Sequence, residues 1–202
     1  MSTPRAGIRP TIRLAGACGV ASAALVVGAP SMGGGGTAAT VWVFGWLLLL
    51  PFIAGVTVLV RDAGGRAAWL SPVVTAAGAV LVAVHLVTVG IEHTANALST
   101  SSPVHEPLHE VGGALFSLGM LPFGLVLVSA SVAGLTGRAL PRWLAGAGLL
   151  IGLVALANGT MIGSESAWGF LLSTVWVFAA GVTLAVRRAP VEQTPQRDTV
   201  AG

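Results

Sequence analysis

The sequence predicts an all-α protein of the membrane, a bundle of six transmembrane helices. Three observations carry the prediction. Apolar residues make up 54% of the 202 residues and charged ones only 8%, too few charges to cover the surface of a water-soluble domain. The apolar residues fall in blocks long enough to cross a hydrocarbon core of roughly 30 Å, which takes about 20 helical residues. These blocks are continuous rather than alternating, which in lipid selects helices over the strands of a barrel, because a helix satisfies its own backbone groups.

The first block runs from Ile12 to Ala29, behind Arg5, Arg9 and Arg13. Basic residues before a short apolar run also resemble an export signal. Cleavage after Ala29 would leave Pro30 as the first mature residue, an unfavourable start, although a cut between Gly36 and Ala39 stays open; a retained helix is the expectation adopted. Cys18 follows Leu14-Ala15-Gly16-Ala17, a spacing that invites a lipid-attachment reading. No apolar run precedes it, so a buried, inert thiol is expected. The remaining blocks span Val41 to Val60, Trp69 to Ile91, Val111 to Thr136, Trp143 to Gly163 and Ala167 to Val186. The linkers are short and nothing outside the blocks could bury a core of its own. Residues 12–186 therefore read as one six-helix membrane domain between an N-terminal tail, 1–11, and a disordered C-terminal tail, 187–202.

Charge orients this frame. All ten basic residues are arginines, and they lie in the two tails or in the even-numbered connections. Six crossings place those segments on one side, and the positive-inside rule makes it cytoplasmic, with both termini there. The opposite side carries Glu92, Glu106, Glu110 and Glu165, no arginine, and the histidines. Trp69 and Trp143 open helices at the inner interface and Trp42 and Trp168 at the outer one, as an aromatic belt requires. The arginines stand singly or in pairs, without the stripe a phosphate backbone needs, so the lipid bilayer and not nucleic acid is the expected partner.

Some strings recur. Ala54-Gly55-Val56-Thr57 returns as Ala180-Gly181-Val182-Thr183, Val41-Trp42-Val43-Phe44 as Val175-Trp176-Val177-Phe178, and Leu50-Pro51-Phe52 as Leu121-Pro122-Phe123. They suggest helical-hairpin repeats, with packing alone as the plainer reading and a substrate site between repeats, near proline-broken helices, as the sharper one. Gly148 with Gly152, and Gly113 with Ser117, mark close helix contacts, inside the bundle or with a homo-oligomeric or other membrane partner.

Chemistry-bearing residues concentrate between His85 and Glu110. If the third helix continues far enough, His85, Glu92 and Asn96 fall on one stripe. His85 lies within the apolar block, where an ionisable residue is expensive and function is the default hypothesis. Hairpin alignment brings Asn158 near its depth and Glu165 near Glu92. His105-Glu106-Pro107-Leu108-His109 matches the H-E-x-x-H spacing that sets two imidazoles on one helical face with a glutamate as general base. Pro107 weakens the match, since it favours a helix starting at Pro107 that leaves His105 outside. His93, His105, Glu106 and His109 could otherwise hold a divalent transition metal. Haem is not expected, because the histidines crowd one edge without partners at matching depth.

Leu140-Pro141-Arg142-Trp143-Leu144 and the closing run from Trp176 to Arg188 resemble features of actinobacterial six-helix integral membrane proteins of unknown function. The likeness covers about Val41 to Arg188 and implies topology and a bacterial cell membrane, with no activity attached. Three functional classes stay open: a small transporter or proton- or ion-coupled permease using His85, Glu92, Asn158 and Glu165, a membrane-embedded metal hydrolase, and a non-catalytic scaffold.

Overall fold

The computed structural model describes residues 8–33, 35–137, 140–160 and 168–186. These form six helices long and apolar enough to cross a membrane, so the chain is a multi-pass membrane protein. They are α1 (Ile8–Gly28), α2 (Gly36–Asp62), α3 (Leu70–Ala97), α4 (His105–Gly137), α5 (Arg142–Thr160) and α6 (Trp168–Ala185). Short 3-10 turns, Ala29–Met32 and Gly65–Ala67, follow α1 and α2. The second is entered through Gly64 at φ 69° and Gly65 at φ 55°, left-handed backbone that two successive glycines tolerate without a Cβ clash.

Each helix packs on its chain neighbours, and α6 returns onto α1, closing a ring; α4 touches α2 and α6 across the middle. Trp46, Phe52, Leu127, Trp176 and Leu184 fill that middle and are each at most 2% exposed. The bundle thus has an arginine end, where α2, α4 and α6 finish, and a histidine end, where α3 finishes and α4 begins.

Several helices outrun their apolar blocks. α3 continues to Ala97 and α4 starts at His105, so at 1.5 Å per residue their 28 and 33 residues span about 42 and 50 Å, against roughly 30 Å of hydrocarbon. α5 and α6 have 19 and 18 described residues, about what one crossing takes. Hydropathy marks where the lipid ends, whereas helical hydrogen bonding persists beyond it, and the excess carries the polar residues. Neither Pro51 nor Pro122 breaks its helix. The expectation of proline-broken helices is corrected: each residue only removes one N–H from a continuous helix whose neighbours hold it in place.

The repeated strings act in packing. Gly55 of α2 receives Ala15 of α1, and Gly181 of α6 lies against the Gly16 carbonyl and Val20 of the same helix. α1 therefore sits between two copies of Ala-Gly-Val-Thr, each supplying a glycine for close approach. The Gly148–Gly152 pair is likewise spent inside the bundle: Gly152 admits Val128 and the Gly124 carbonyl of α4, and Gly148 admits Trp176 and Ser131. Without a Cβ at Gly148, the Trp176 indole reaches the α5 backbone and donates to the Leu144 carbonyl at 2.9 Å. Gly113, by contrast, meets nothing within 4 Å. Cys18 is half-buried rather than buried.

Candidate functional site at the histidine end

The site is built on the α3–α4 hairpin. His85 and Glu92 stand seven residues apart on α3, two turns and about 10 Å along the axis. On antiparallel α4, Gly112 and Gly119 are also seven apart, and each faces one of them: a methyl at Gly119 would strike the His85 ring, and one at Gly112 would strike the Glu92 carboxylate. Two glycines thus make room for two polar side chains. Because α3 ends at Ala97, His85 lies about 18 Å below the helix end, twice the depth implied by an end at Ile91.

His85 is 1% exposed. Its Nδ1 donates to the Leu81 carbonyl at 2.9 Å, and since a carbonyl only accepts, that nitrogen carries the hydrogen. Nε2 is buried and has no hydrogen-bond partner among the described residues. The ring is stacked on Trp46, with centroids 3.8 Å apart, and meets the edge of Phe116 at 5.5 Å. Phe170 of α6 closes the box against Phe116 and Trp46. Helices α2, α3, α4 and α6 all contribute. The Trp46 Nε1 is also buried without a partner among the described residues, and a buried polar atom left unmet calls for an explanation.

Two turns above, His109 Nδ1 donates to Glu92 Oε2 at 3.0 Å. His105 sits at the first position of α4 and donates from Nδ1 to the Ala95 carbonyl of α3 at 3.1 Å, tying the two helix ends together. The helix starts at His105, not at Pro107. Proline is tolerated there because the first-turn N–H groups have no intrahelical acceptor. His105 and His109 consequently share a face, with ring centroids 4.7 Å apart, correcting the expectation that they would not align. Glu106 lies in the first turn of α4, where its carboxylate favours the helix dipole.

The other candidates spread out. His93 and Glu106 are exposed, and among the described residues no three His, Cys, Asp or Glu side chains gather as a metal would require. Asn158 packs against Gly169 near the start of α6. It lies close to the depth of His85, since neighbouring Gly159 meets Leu121, two residues from Gly119, but it is on α5 and outside the aromatic box. Glu165 lies outside the described residues.

Beside Glu92, on the side away from α4, a cavity of about 250 Å³ opens between the α1–α2 connection, α2 and α3. Glu92, His93, Asn96 and Val89 line it from α3, with Trp42 from α2. Glu92 is therefore shared between the cavity and His109. The buried Trp42 Nε1 has no partner among the described residues.

Trp42, Trp46, Phe116, Gly119 and Phe170 were not singled out from the sequence as site residues. One signal was present, namely the seven-residue spacing of Gly112 and Gly119 that repeats that of His85 and Glu92. Comparison with protein families, with curated proteins and with solved structures finds no match to this chain.

Proposed function

We propose that the protein is a small proton-coupled permease of a bacterial cell membrane, with its histidine end outside and both termini in the cytoplasm. One observation supports this above the others. A membrane-buried imidazole with an unpartnered nitrogen stands two turns below a glutamate–histidine pair at the mouth, on the same helix face. A histidine so placed is costly in lipid and is kept where it serves a pathway. Its unprotonated nitrogen can take up a proton, while the Glu92 carboxylate collects cations from the acidic outer side.

The division of labour follows from position. Glu92 and His109 form the outer station, and His85 in its aromatic box forms the inner one. About 10 Å of axis separates them, more than one hydrogen bond can span, so protons would pass only when water or a helix shift joins the two. That separation is what coupling requires, because a continuous wire would leak. The arginine half is filled by Val56, Leu59, Trp176 and Leu184 around a void of only about 10 Å³, as an inward-closed state needs. Asn158 and Glu165 belong to this reading as further polar positions of the entrance.

The test is flux. Vesicles containing the purified protein and a trapped pH dye are presented with amines, amino acids, sugars and metal ions in turn. Wild type is expected to move protons with at least one class, and the His85→Ala, Glu92→Ala double variant to abolish that signal. Flux unchanged in the double variant overturns the reading, as does silence across the panel from protein shown to be folded.

A further inference from the structure

We infer that the 250 Å³ cavity beside Glu92 is a binding site for a small organic ammonium ion, which it would present to the permease as substrate; the transport half of this inference rests on the function proposed above.

Four features of the cavity select that chemistry. The one acidic residue among its described lining is Glu92, on an end of the molecule where the sequence places four glutamates and no arginine or lysine. Charge complementarity therefore asks for a cation and disfavours an anion. Glu92 is already fixed by His109 through Oε2 at 3.0 Å and is backed by Gly112, so the carboxylate is held in place before a ligand arrives. The rest of the wall is mixed: Val89 and Pro30 supply apolar surface, and Trp42 supplies an indole. An alkylated ammonium suits such a wall better than a bare metal ion, because its methyl groups gain from apolar contact and an aromatic ring attracts the charge. Metal ions would need several ligands at once, and no three His, Cys, Asp or Glu side chains gather among the described residues.

The remaining polar groups define the other end of the ligand. Asn96 and His93, both exposed, line the cavity from α3. A hydroxyl on the ligand would hydrogen-bond the Asn96 amide, which both donates and accepts. Size sets the upper bound, since about 250 Å³ is below the range of roughly 300–1,000 Å³ typical of drug-sized sites. The ligand is thus a compact amino alcohol or similar hydroxylated ammonium. The same group is carried by some lipid headgroups, and the experiment separates the two sources.

Purified full-length protein is placed in nanodiscs of phosphatidylglycerol alone and titrated with choline while tryptophan fluorescence is followed. The probe is chosen for its quaternary ammonium and single hydroxyl. Saturable quenching is expected, with the uncharged isostere 3,3-dimethylbutan-1-ol binding at least about tenfold more weakly, because a charge-assisted contact is lost. Glu92→Gln should weaken choline by a similar factor, and Trp42→Phe by less. Glu110→Gln, an exposed glutamate of α4 outside the cavity, should leave it unchanged, and unaltered thermal melting of the variants would exclude misfolding. Repeating the titration with phosphatidylethanolamine in the disc locates the source. A weakened choline response there means that headgroups compete for the site, and an unchanged one means that the soluble cation is its ligand; both outcomes support an ammonium site. Equal binding of choline and its neutral isostere, no saturable response in either disc, or full affinity in Glu92→Gln overturns the inference. Choline binding without choline-dependent proton flux would leave the site standing and overturn its transport half, while the permease itself falls only on the flux panel described above.

Discussion

Gly181→Leu is expected to destabilise the bundle by about 3 kcal/mol, the upper part of the range for overpacking a tight contact. The reason is that backbone faces backbone. A Cβ at Gly181 would come within 2.8 Å of the Gly16 carbonyl oxygen and 2.9 Å of the Val20 nitrogen, and a Cβ at Gly16 within 2.6 Å of the Gly181 carbonyl oxygen and the Ala185 nitrogen. No side chain can rotate away to relieve this overlap, so the two helices must separate. The α1–α6 contact is also what closes the ring. Thermal denaturation of purified protein in detergent should show a lowered midpoint for Gly181→Leu and a smaller loss for Gly181→Ala. The Gly16→Leu, Gly181→Leu double variant should cost less than the sum of the singles, since both break one contact. An unshifted midpoint in Gly181→Leu, or strict additivity, would show that α1 and α6 do not meet there.

Gly119→Leu is expected to cost about as much, roughly 2–3 kcal/mol, for a different reason. Its Cβ would land on the His85 imidazole. That ring cannot step aside, because Nδ1 is tied to Leu81 and one face is stacked on Trp46 at 3.8 Å. His85→Ala alone should cost about 2 kcal/mol as a cavity between Trp46 and Phe116. Combined with Gly119→Leu, the new side chain occupies the space the imidazole leaves, so the double variant should be more stable than Gly119→Leu alone. A double-mutant cycle on melting free energies measures this coupling. Independent penalties would mean that residue 119 and His85 are not in contact, and the aromatic box would have to be redrawn. Because His85 carries the inner station of the proposed permease, the stability of the double variant also separates folding from flux: it should be folded and silent.

The α3–α4 hairpin shows how far a sequence can be read in such a protein. The stripe His85, Glu92, Asn96 follows from helical periodicity alone, and α3 is helical through Ala97. The pairing of Glu92 with His109 does not follow, because it depends on how α4 is set against α3. Gly112 and Gly119 govern that setting, and in a chain with 28 glycines no single one announces its partner. The H-E-x-x-H string was legible as a spacing but not as a geometry. Its two imidazoles share a face, yet one Nδ1 is occupied by Ala95 and the other by Glu92.

Trp46 and Phe44 make the wider point. They stand two residues apart in α2, and both are large and apolar. Trp46 is 2% exposed at the centre of the bundle, while Phe44 is 57% exposed on its rim. In a water-soluble helix, polar residues would mark the outer face. Here lipid is as apolar as the core, so hydrophobicity does not tell inside from outside, and close packing of small residues takes over that role. The number of crossings, their helical form and the separation of arginines from histidines were therefore readable from the chain itself, because transfer into lipid and charge at its surface act residue by residue. The closed ring, the box around His85, the shared carboxylate of Glu92 and the cavity beside it arose only when helices met, because they depend on steric fit between segments distant in sequence.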